Sequence, residues 1–403
     1  MLTNLKRLLA VGTAAAVALV GYVPAPAVAQ APAVHPVAVS APAPKAANWL
    51  AVNPATVDDG FSGQISNALG LAVLDTKATR DELRERVAVL RAEAATKTAG
   101  QVGAAANLAI LVRILKLDPE NFGGADLIRT ILAAKKTDGQ IGDFGSAYAQ
   151  ALAIIALHRS GKAVPEEIVS KLLSFQAKDG INAGAFGYEW DGFVADPDST
   201  GLALQALKLV KGDKAVIANA VNWAKANQNA EGYWTSYSPV DSTALMATAL
   251  KQVHPSGWAK VYTKARTWLR SQQLANGGFP ASLSGTDANL LATSNAAFLI
   301  AGESLATARY DLKPFKKSPR PVVAGARKVG QTLTANTRTW SPAAEFSYQW
   351  YRNGRAIAGA TASTYLLTAA DKGKKIRVRV LASAIGMKPD YERSKATGKI
   401  KKG

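Results

Sequence analysis

Asp196 and Asp198 stand one residue apart in ADPDSTGLALQAL (195–207), ahead of a run of small and apolar residues. VDSTALMATAL (240–250) repeats the phrase with Asp241. A carboxyl group at such a place has two uses. Buried in an apolar cavity it can stay protonated and deliver a proton to a substrate. In the first turn of a helix it can accept hydrogen bonds from N–H groups that have no helical partner, worth on the order of 1 kcal/mol, and meet the positive end of the helix dipole. Because the phrase occurs twice, the expected role of Asp198 and Asp241 is to cap the helices that follow. Acid catalysis by Asp198 is the alternative.

Other chemistry is scarce. There is no cysteine, which excludes disulfides and thiolate metal sites, and three histidines are a poor basis for a zinc centre. His35 lies in a Pro/Ala-rich stretch, while His158 and His254 fall at helix ends, where C-terminal capping is expected. No nucleophile–base spacing, phosphate loop or metal cluster is present, and no cofactor or metal is expected.

The elements that must position these carboxylates form a repeat. Turn glycines at Gly60, Gly100, Gly139, Gly180, Gly232 and Gly278 are spaced 39 to 52 residues apart. After each comes a segment that is apolar nearly all round, such as STGLALQAL or STALMATAL. Before each comes an amphipathic charged segment, such as PEEIVSKLLSFQAK or GWAKVYTKARTWLRSQQ. Trp49, Trp223 and Trp268 occupy one position of the amphipathic set, each followed four residues later by Asn53, Asn227 or Gln272. Six buried helices inside six amphipathic ones make a closed α6/α6 toroid over residues 46–308. An open array would need capped ends, and neither terminal unit resembles a cap.

Aligning the inner helices puts Asn67, Asn107, Gln150, Thr200, Thr243 and Asn295 at one level, a polar collar at the ring mouth where the helix N-termini gather. The loops leading there carry Tyr148, Tyr188, Trp190, Trp234 and Tyr237, with Phe144, Phe186, Phe193 and Tyr233. Aromatic walls with a few convergent polar groups are what a ligand pocket needs. The mouth is therefore expected to bind a small or oligomeric ligand, and the chain is expected to be a binding protein rather than an enzyme.

The flanks concern location. Lys6 and Arg7, an apolar run from Leu8 to Val23, and Ala27-Val28-Ala29 read as a secretory signal over residues 1–29, with a Pro/Ala-rich spacer over 30–45. No second run is long enough to span a bilayer. Residues 309–318 form a basic, proline-containing linker. Over 319–403 the pattern alternates apolar and polar residues between turn signals, including an Asn353-Gly354 hairpin, which predicts a small all-β sandwich. From Asp311 onward there are 20 lysines and arginines against 5 acidic residues, +15 of the chain's +19. An exported basic domain suggests anionic wall polymers or a membrane surface as contact, or a solvated spacer, and not nucleic acid.

The "Q…DGG" turns and "DSTALAL"-like helices resemble the repeats of the terpenoid cyclase/prenyltransferase α/α-toroid superfamily, nearest its secreted transcobalamin-like and squalene-cyclase-like bacterial members. The resemblance implies a fold more than an activity, since cyclases, protein prenyltransferases, vitamin B12 carriers and complement-type domains share it. In class II cyclases the acid is the third residue of Asp-x-Asp-Asp, which aligns with Asp196-Pro197-Asp198-Ser199. Ser199 replaces the last Asp, and the inner helices offer few aromatic side chains for cations. The prenyltransferases need a zinc-binding cysteine that is absent here. The B12 carriers hold their ligand at a similar mouth, which makes a corrinoid a possible ligand, while paired acids with aromatic platforms would also suit a sugar. Separately, YQWYRNG, AGAT and TYLLTAADKGKKIRVRV resemble the Ig-like repeat of exported actinobacterial proteins, apart from Ala358 where that pattern often has Ser.

Overall fold

The computed structural model describes residues 42–403 except residue 57, so the expected signal segment and most of the spacer lie outside the described residues. Twelve helices alternate along the described chain: α1 (Pro42–Val52), α2 (Gly60–Leu74), α3 (Lys77–Lys97), α4 (Val102–Ile114), α5 (Leu127–Ala133), α6 (Ala147–Arg159), α7 (Glu166–Ser174), α8 (Pro197–Leu209), α9 (Lys214–Ala226), α10 (Pro239–Val253), α11 (Trp258–Ser271) and α12 (Leu290–Ala301). Each even-numbered helix packs on the next, and α12 returns to α2. The inner ring is closed. The odd-numbered helices pack outside it, with α1 seated against both α12 and α2.

Side-chain size explains which helices go inside. Every residue from Pro197 to Leu207 and from Pro239 to Leu250 is buried, which only an apolar, small-residue helix can tolerate. A Cβ on Gly201 would lie 3.0 Å from the backbone of Leu245 and Met246, so α8 and α10 approach almost backbone to backbone. Outer helices bury one stripe only, as with Tyr262, Ala265, Trp268 and Leu269 of α11.

Three of the turns are stitched to an outer helix by a glutamine. The Gln176 side-chain amide donates to the carbonyls of Gly184 and Val216, that of Gln228 to Gly232 and Val261, and that of Gln273 to Gly277 and Pro42. The last of these joins the end of the repeat array to α1 and completes the ring. Of the six expected anchoring glycines only Gly139 and Gly232 sit against an outer-helix carbonyl, those of Glu167 and Lys264. A Cβ on Gly60 or Gly100 would meet nothing, and Gly184 (φ 93°) and Gly277 (φ 97°) take the position rather than Gly180 and Gly278. At Gly184 and Gly277 a Cβ would collide with an outer-helix carbonyl, Asn219 O at 2.3 Å and Lys45 O at 2.5 Å.

The helical unit is not all-α. The longest repeat carries a two-stranded hairpin, β1 (Gly187–Glu189) and β2 (Phe193–Ala195), between α7 and α8, with Tyr188 opposite Val194. Residues 42–45, expected in the spacer, are helical; the Pro42 carbonyl accepts from the Gln273 amide, and the Lys45 carbonyl lies against Gly277. The ring is shut at the C-terminal ends of its inner helices by residues 303–310. There the Arg159 guanidinium donates to the carbonyls of Leu305, Ala306 and Ala308 at 3.1, 2.6 and 2.6 Å, and Ser304 donates to Gln252 at 2.9 Å. Burial lowers Arg159 to about 10, with Arg113 and Arg309 adding to the effect.

Residues 311–403 form a second unit. It holds a three-stranded antiparallel sheet, β3 (Val322–Ala324), β4 (Thr332–Asn336) and β7 (Thr364–Leu366), in the order β3-β4-β7. A four-stranded sheet contains β5 (Glu345–Arg352), β6 (Arg355–Ala356), β8 (Ile376–Ser383) and β9 (Asp390–Arg393), in the order β6-β5-β8-β9. Leu333, Trp350, Leu367, Ile376, Val378 and Val380 make its core. Buried Asp371 accepts from Arg352, Tyr365 and Thr368, which together hold its carboxyl below the ordinary range despite burial. Most of the expected linker belongs to this unit, since Phe315 packs with Trp340 and Met387 and Lys317 pairs with Ser341.

Candidate functional site

Inner and outer helices alternate in direction, so the six inner N-termini gather at one end of the ring, opposite the closure by residues 303–310. The N-caps there are not the expected ones. Asp196 caps α8, its carboxylate accepting from the N–H groups of Asp198 and Ser199 at 3.3 and 3.0 Å and from the Ser199 hydroxyl at 2.5 Å. Ser238 caps α10, accepting from Asp241 N at 3.3 Å. Pro197 and Pro239 each occupy the first turn, where a missing N–H costs nothing. Asp198 and Asp241 therefore lie two and three residues past the N-caps, and neither side chain serves as the cap.

They turn into the ring. Asp198 is 9% and Asp241 6% exposed. Asn295 of α12 donates to Asp241 Oδ1 at 2.9 Å. The Oδ1 atom of Asp198 is buried and has no hydrogen-bond partner among the described residues. Burial raises the Asp198 carboxyl well above its ordinary range, the negative charges of Asp196 and Asp241 raise it further, and the Ser242 hydroxyl offsets part of the rise. Burial brings Asp241 to about 6, against the opposing bonds from Asn295 and Ser238. Tyr148 of α6 faces the same group: burial and the charges of Asp198, Asp241 and Asp196 all push its phenol up. Four inner helices thus bring Tyr148, Asp198, Asp241 and Asn295 together in the lumen. One turn deeper on the same helix faces are Leu152, Leu202 and Leu245, all buried, which makes the floor apolar.

The expected collar is divided. Gln150, Thr200 and Thr243 point away from the lumen and bond loop and outer-helix backbone: Gln150 with Ile141 N, Gly139 O and Ile168 O of α7, Thr200 with Phe186 N and O, and Thr243 with Trp234 N. Asn67 likewise donates to Leu50 and Asn53 O. In α12 that position is Thr293, bonded to Phe279 N at 2.9 Å, so Asn295 lies two residues further on and faces inward. Counting four residues from the N-cap of α4, Gln101, places Ala105 there, and half-buried Asn107 falls in register with Asn295. Side chains with the same job are spaced by helix geometry, which a sequence alignment by polarity shifted by two.

Trp234 is buried, its indole N–H donating to Ala224 O at 2.7 Å, so it is a pillar of the wall rather than a platform. Tyr188 on β1 is half-buried over the acids, its phenol raised by burial and by Asp196 and Asp198, and its ring lies 6.0 Å from that of Phe144. Trp190 at the hairpin end and Tyr237 ahead of α10 are exposed. A polar cleft of about 300 Å³ lined by Asn182, Asn227, Asn229, Tyr233 and Thr235 lies at the side of the same end. Among the described residues no group of His, Cys, Asp and Glu could hold a metal ion.

The sequence reading missed the pairing of the two carboxyls and the place of Ser242. The signal was present. Equivalent positions on adjacent helices of a closed ring are neighbours, so Asp-Ser-Thr at one offset in two consecutive inner helices brings two acids side by side.

No family model matches the sequence, and no curated protein resembles it. Among solved structures, one of a protein from Actinoplanes is similar at 17% identity with a TM-score of 0.52, over 66% of this chain and 99% of the other. Type II terpene cyclase MstE from Scytonema is similar at 14% identity and a TM-score of 0.49, over 64% and 96% of the two chains. A possible GH105-family member from Salmonella enterica also scores 0.49 at 14% identity, over 65% and 92%. The Actinoplanes likeness shows the fold alone. No helix among the described residues is long and apolar enough to cross a membrane.

Proposed function

We propose that the helical unit is an enzyme that starts its reaction by protonating a substrate from Asp198 at the mouth of the ring. The observation that carries this is the inward-facing Asp198–Asp241 pair, buried and relieved of capping duty by Asp196 and Ser238. A carboxyl whose burial raises it well above its ordinary range, with one oxygen unpartnered, is poised to give up a proton to a group that enters beside it. Asp241, tied to Asn295, adds negative charge that keeps the proton on Asp198 until substrate arrives. The aliphatic floor formed by Leu152, Leu202 and Leu245 suits a largely apolar substrate. The proton then adds to one carbon of an electron-rich double bond, and the cation left on the other carbon is discharged by water or by loss of a neighbouring proton. A binding protein without chemistry is a weaker account of these residues, since Asn67, Gln150, Thr200, Thr243 and Trp234 are engaged with backbone.

The same reading places the α/α toroid on an exported protein, cut after Ala29, with residues 311–403 as an Ig-like module whose basic surface contacts anionic wall material. N-terminal sequencing of secreted protein, expected to begin at Gln30, tests the export.

For the chemistry, the chain is incubated in D2O with polyprenyl compounds, muropeptides and wall glycans, and corrinoids, as wild type and as Asp198→Asn. Deuterium should enter a polyprenyl compound with wild type and not with the variant, while both bind it. A ligand that shifts the melting temperature equally in both proteins, with no deuterium incorporated from any compound, would replace the enzyme by a carrier.

A further inference from the structure

Strands β5, β8 and β9 turn one face of the four-stranded sheet outward. Trp350, Val378 and Val380 are buried on the other face, so strand alternation brings Tyr351, Arg377, Arg379, Leu381, Tyr391 and Arg393 out. Register sets them side by side: Tyr351 opposite Arg377, Arg379 opposite Arg393, and Leu381 opposite Tyr391. The guanidiniums of Arg377 and Arg379 each lie 5.8 Å from the Tyr351 ring centre, and those of Arg379 and Arg393 lie 5.9 and 5.7 Å from that of Tyr391.

Two features set this face apart from an ordinary basic surface. Like charges directly across strands are destabilising, yet Arg379 faces Arg393, and none of the three arginines is in an ion pair among the described residues. The nearest acids on β9, Asp390 and Glu392, occupy the alternate positions of the strand, and Glu345 is at the far end of β5. Meanwhile Tyr391 is 56% and Leu381 41% exposed, leaving apolar surface between the cations. Both tyrosine rings lie within cation–π reach of the guanidiniums, and apart from Arg377 Nε, which is buried without a hydrogen-bond partner, the guanidinium N–H groups are left to donate.

We propose that this Arg–Tyr face is a binding site for an anionic polysaccharide. Sugar C–H faces lie on Tyr391 and Leu381, and carboxylate or phosphate oxygens take paired hydrogen bonds from Arg377, Arg379 and Arg393. An extended glycan offers both kinds of surface along one chain, whereas a nucleic acid duplex presents phosphates and keeps its flat apolar faces stacked inside. This rests on the reading of the basic module as an anionic-surface contact and gives that contact a location and a ligand chemistry.

The test uses the whole chain in sedimentation or surface binding at about 0.1 M salt. Polygalacturonate, dextran and duplex DNA are the probes. Wild type should bind polygalacturonate and not dextran, with DNA weaker. Arg377, Arg379 and Arg393 changed together to Gln should weaken binding at least about tenfold, and changed together to Lys should still weaken it, because the charge remains but the paired donors do not. A charge-matched control changes Arg320 ahead of β3, Lys328 between β3 and β4 and Arg338 after β4 to Gln, and should cost no more than about threefold. Equal losses from the two Gln triples would overturn the site while keeping the module as a diffuse contact. Absence of polygalacturonate binding by wild type would overturn the contact itself, and tighter binding to DNA would overturn the polysaccharide.

Discussion

Replacing Asp241 by Asn should stabilise the helical unit at neutral pH and leave it unchanged in acid. An ordinary Asp ionises near 3.8, whereas burial in the lumen brings Asp241 to about 6. Below about pH 4 the carboxyl is neutral in both the folded and the unfolded chain, and folding is unaffected. Between about 4 and 6 the unfolded chain gives up the proton while the folded one keeps it, so stability falls as pH rises. Above about 6 both states are ionised and the loss levels off. At about 1.4 kcal/mol per decade, the full loss is on the order of 3 kcal/mol. Asp241→Asn removes the titration, keeps the shape and retains an oxygen to accept from Asn295. It also removes one of the charges that raise Asp198, which adds to the effect in the same direction. Urea unfolding followed by helical circular dichroism would report the two proteins as matched at about pH 4 and separated by roughly 2 to 3 kcal/mol at about pH 7, the variant being the more stable. Curves that stay parallel across that range, or a variant weaker at neutral pH, would refute a buried, proton-holding Asp241.

Because the caps are Asp196 and Ser238, Ser238→Ala should cost about 1 kcal/mol in the same unfolding assay at about pH 4 and more at neutral pH, since the lost Ser238 bond also lets the Asp241 carboxyl rise further. Gly201→Ala puts a methyl group 3.0 Å from the backbone of Leu245 and Met246; forcing α8 from α10 should cost about 1 to 3 kcal/mol, read as a lower urea midpoint. Arg159→Ala leaves the carbonyls of Leu305, Ala306 and Ala308 without that donor and should cost on the order of 3 kcal/mol. Hydrogen exchange should then accelerate across residues 303–310 before it does in α8 or α10.

Much of the ring was legible in the chain because its causes are local and repeated. Segments apolar on every side must be inside, amphipathic ones outside, and six pairs without distinct ends close on themselves. The hairpin of β1 and β2 was not legible, though the long interval from Gly180 to Gly232 marked where the extra residues had to go. Nor was the tie from Gln273 to Pro42, which makes a helix of residues whose composition reads as spacer. A proline-rich stretch is extended by default, and only a partner far along the sequence, Gln273 here, supplies the bonds that hold it otherwise. Phe315 shows the same effect in the second unit, where a segment with a linker's composition carries one side chain that Trp340 and Met387 bury.

The amino-acid sequence by itself determined the alternation of helices, the change to strands after the ring, the basic balance of the last quarter and the identity of the two Asp-Ser-Thr phrases. Only the tertiary structure decided what those phrases do. Capping depends on register: Asp196 and Ser238 sit where the backbone N–H groups open, and that puts Asp198 and Asp241, two and three residues on, on the next part of the helix surface. Whether that surface meets water, a neighbouring helix or the lumen depends on ring closure between α12 and α2, a contact between segments more than 200 residues apart. Closure removes the carboxyls from water and sets them beside each other, and it is removal from water together with a neighbouring charge that raises a carboxyl above its ordinary range.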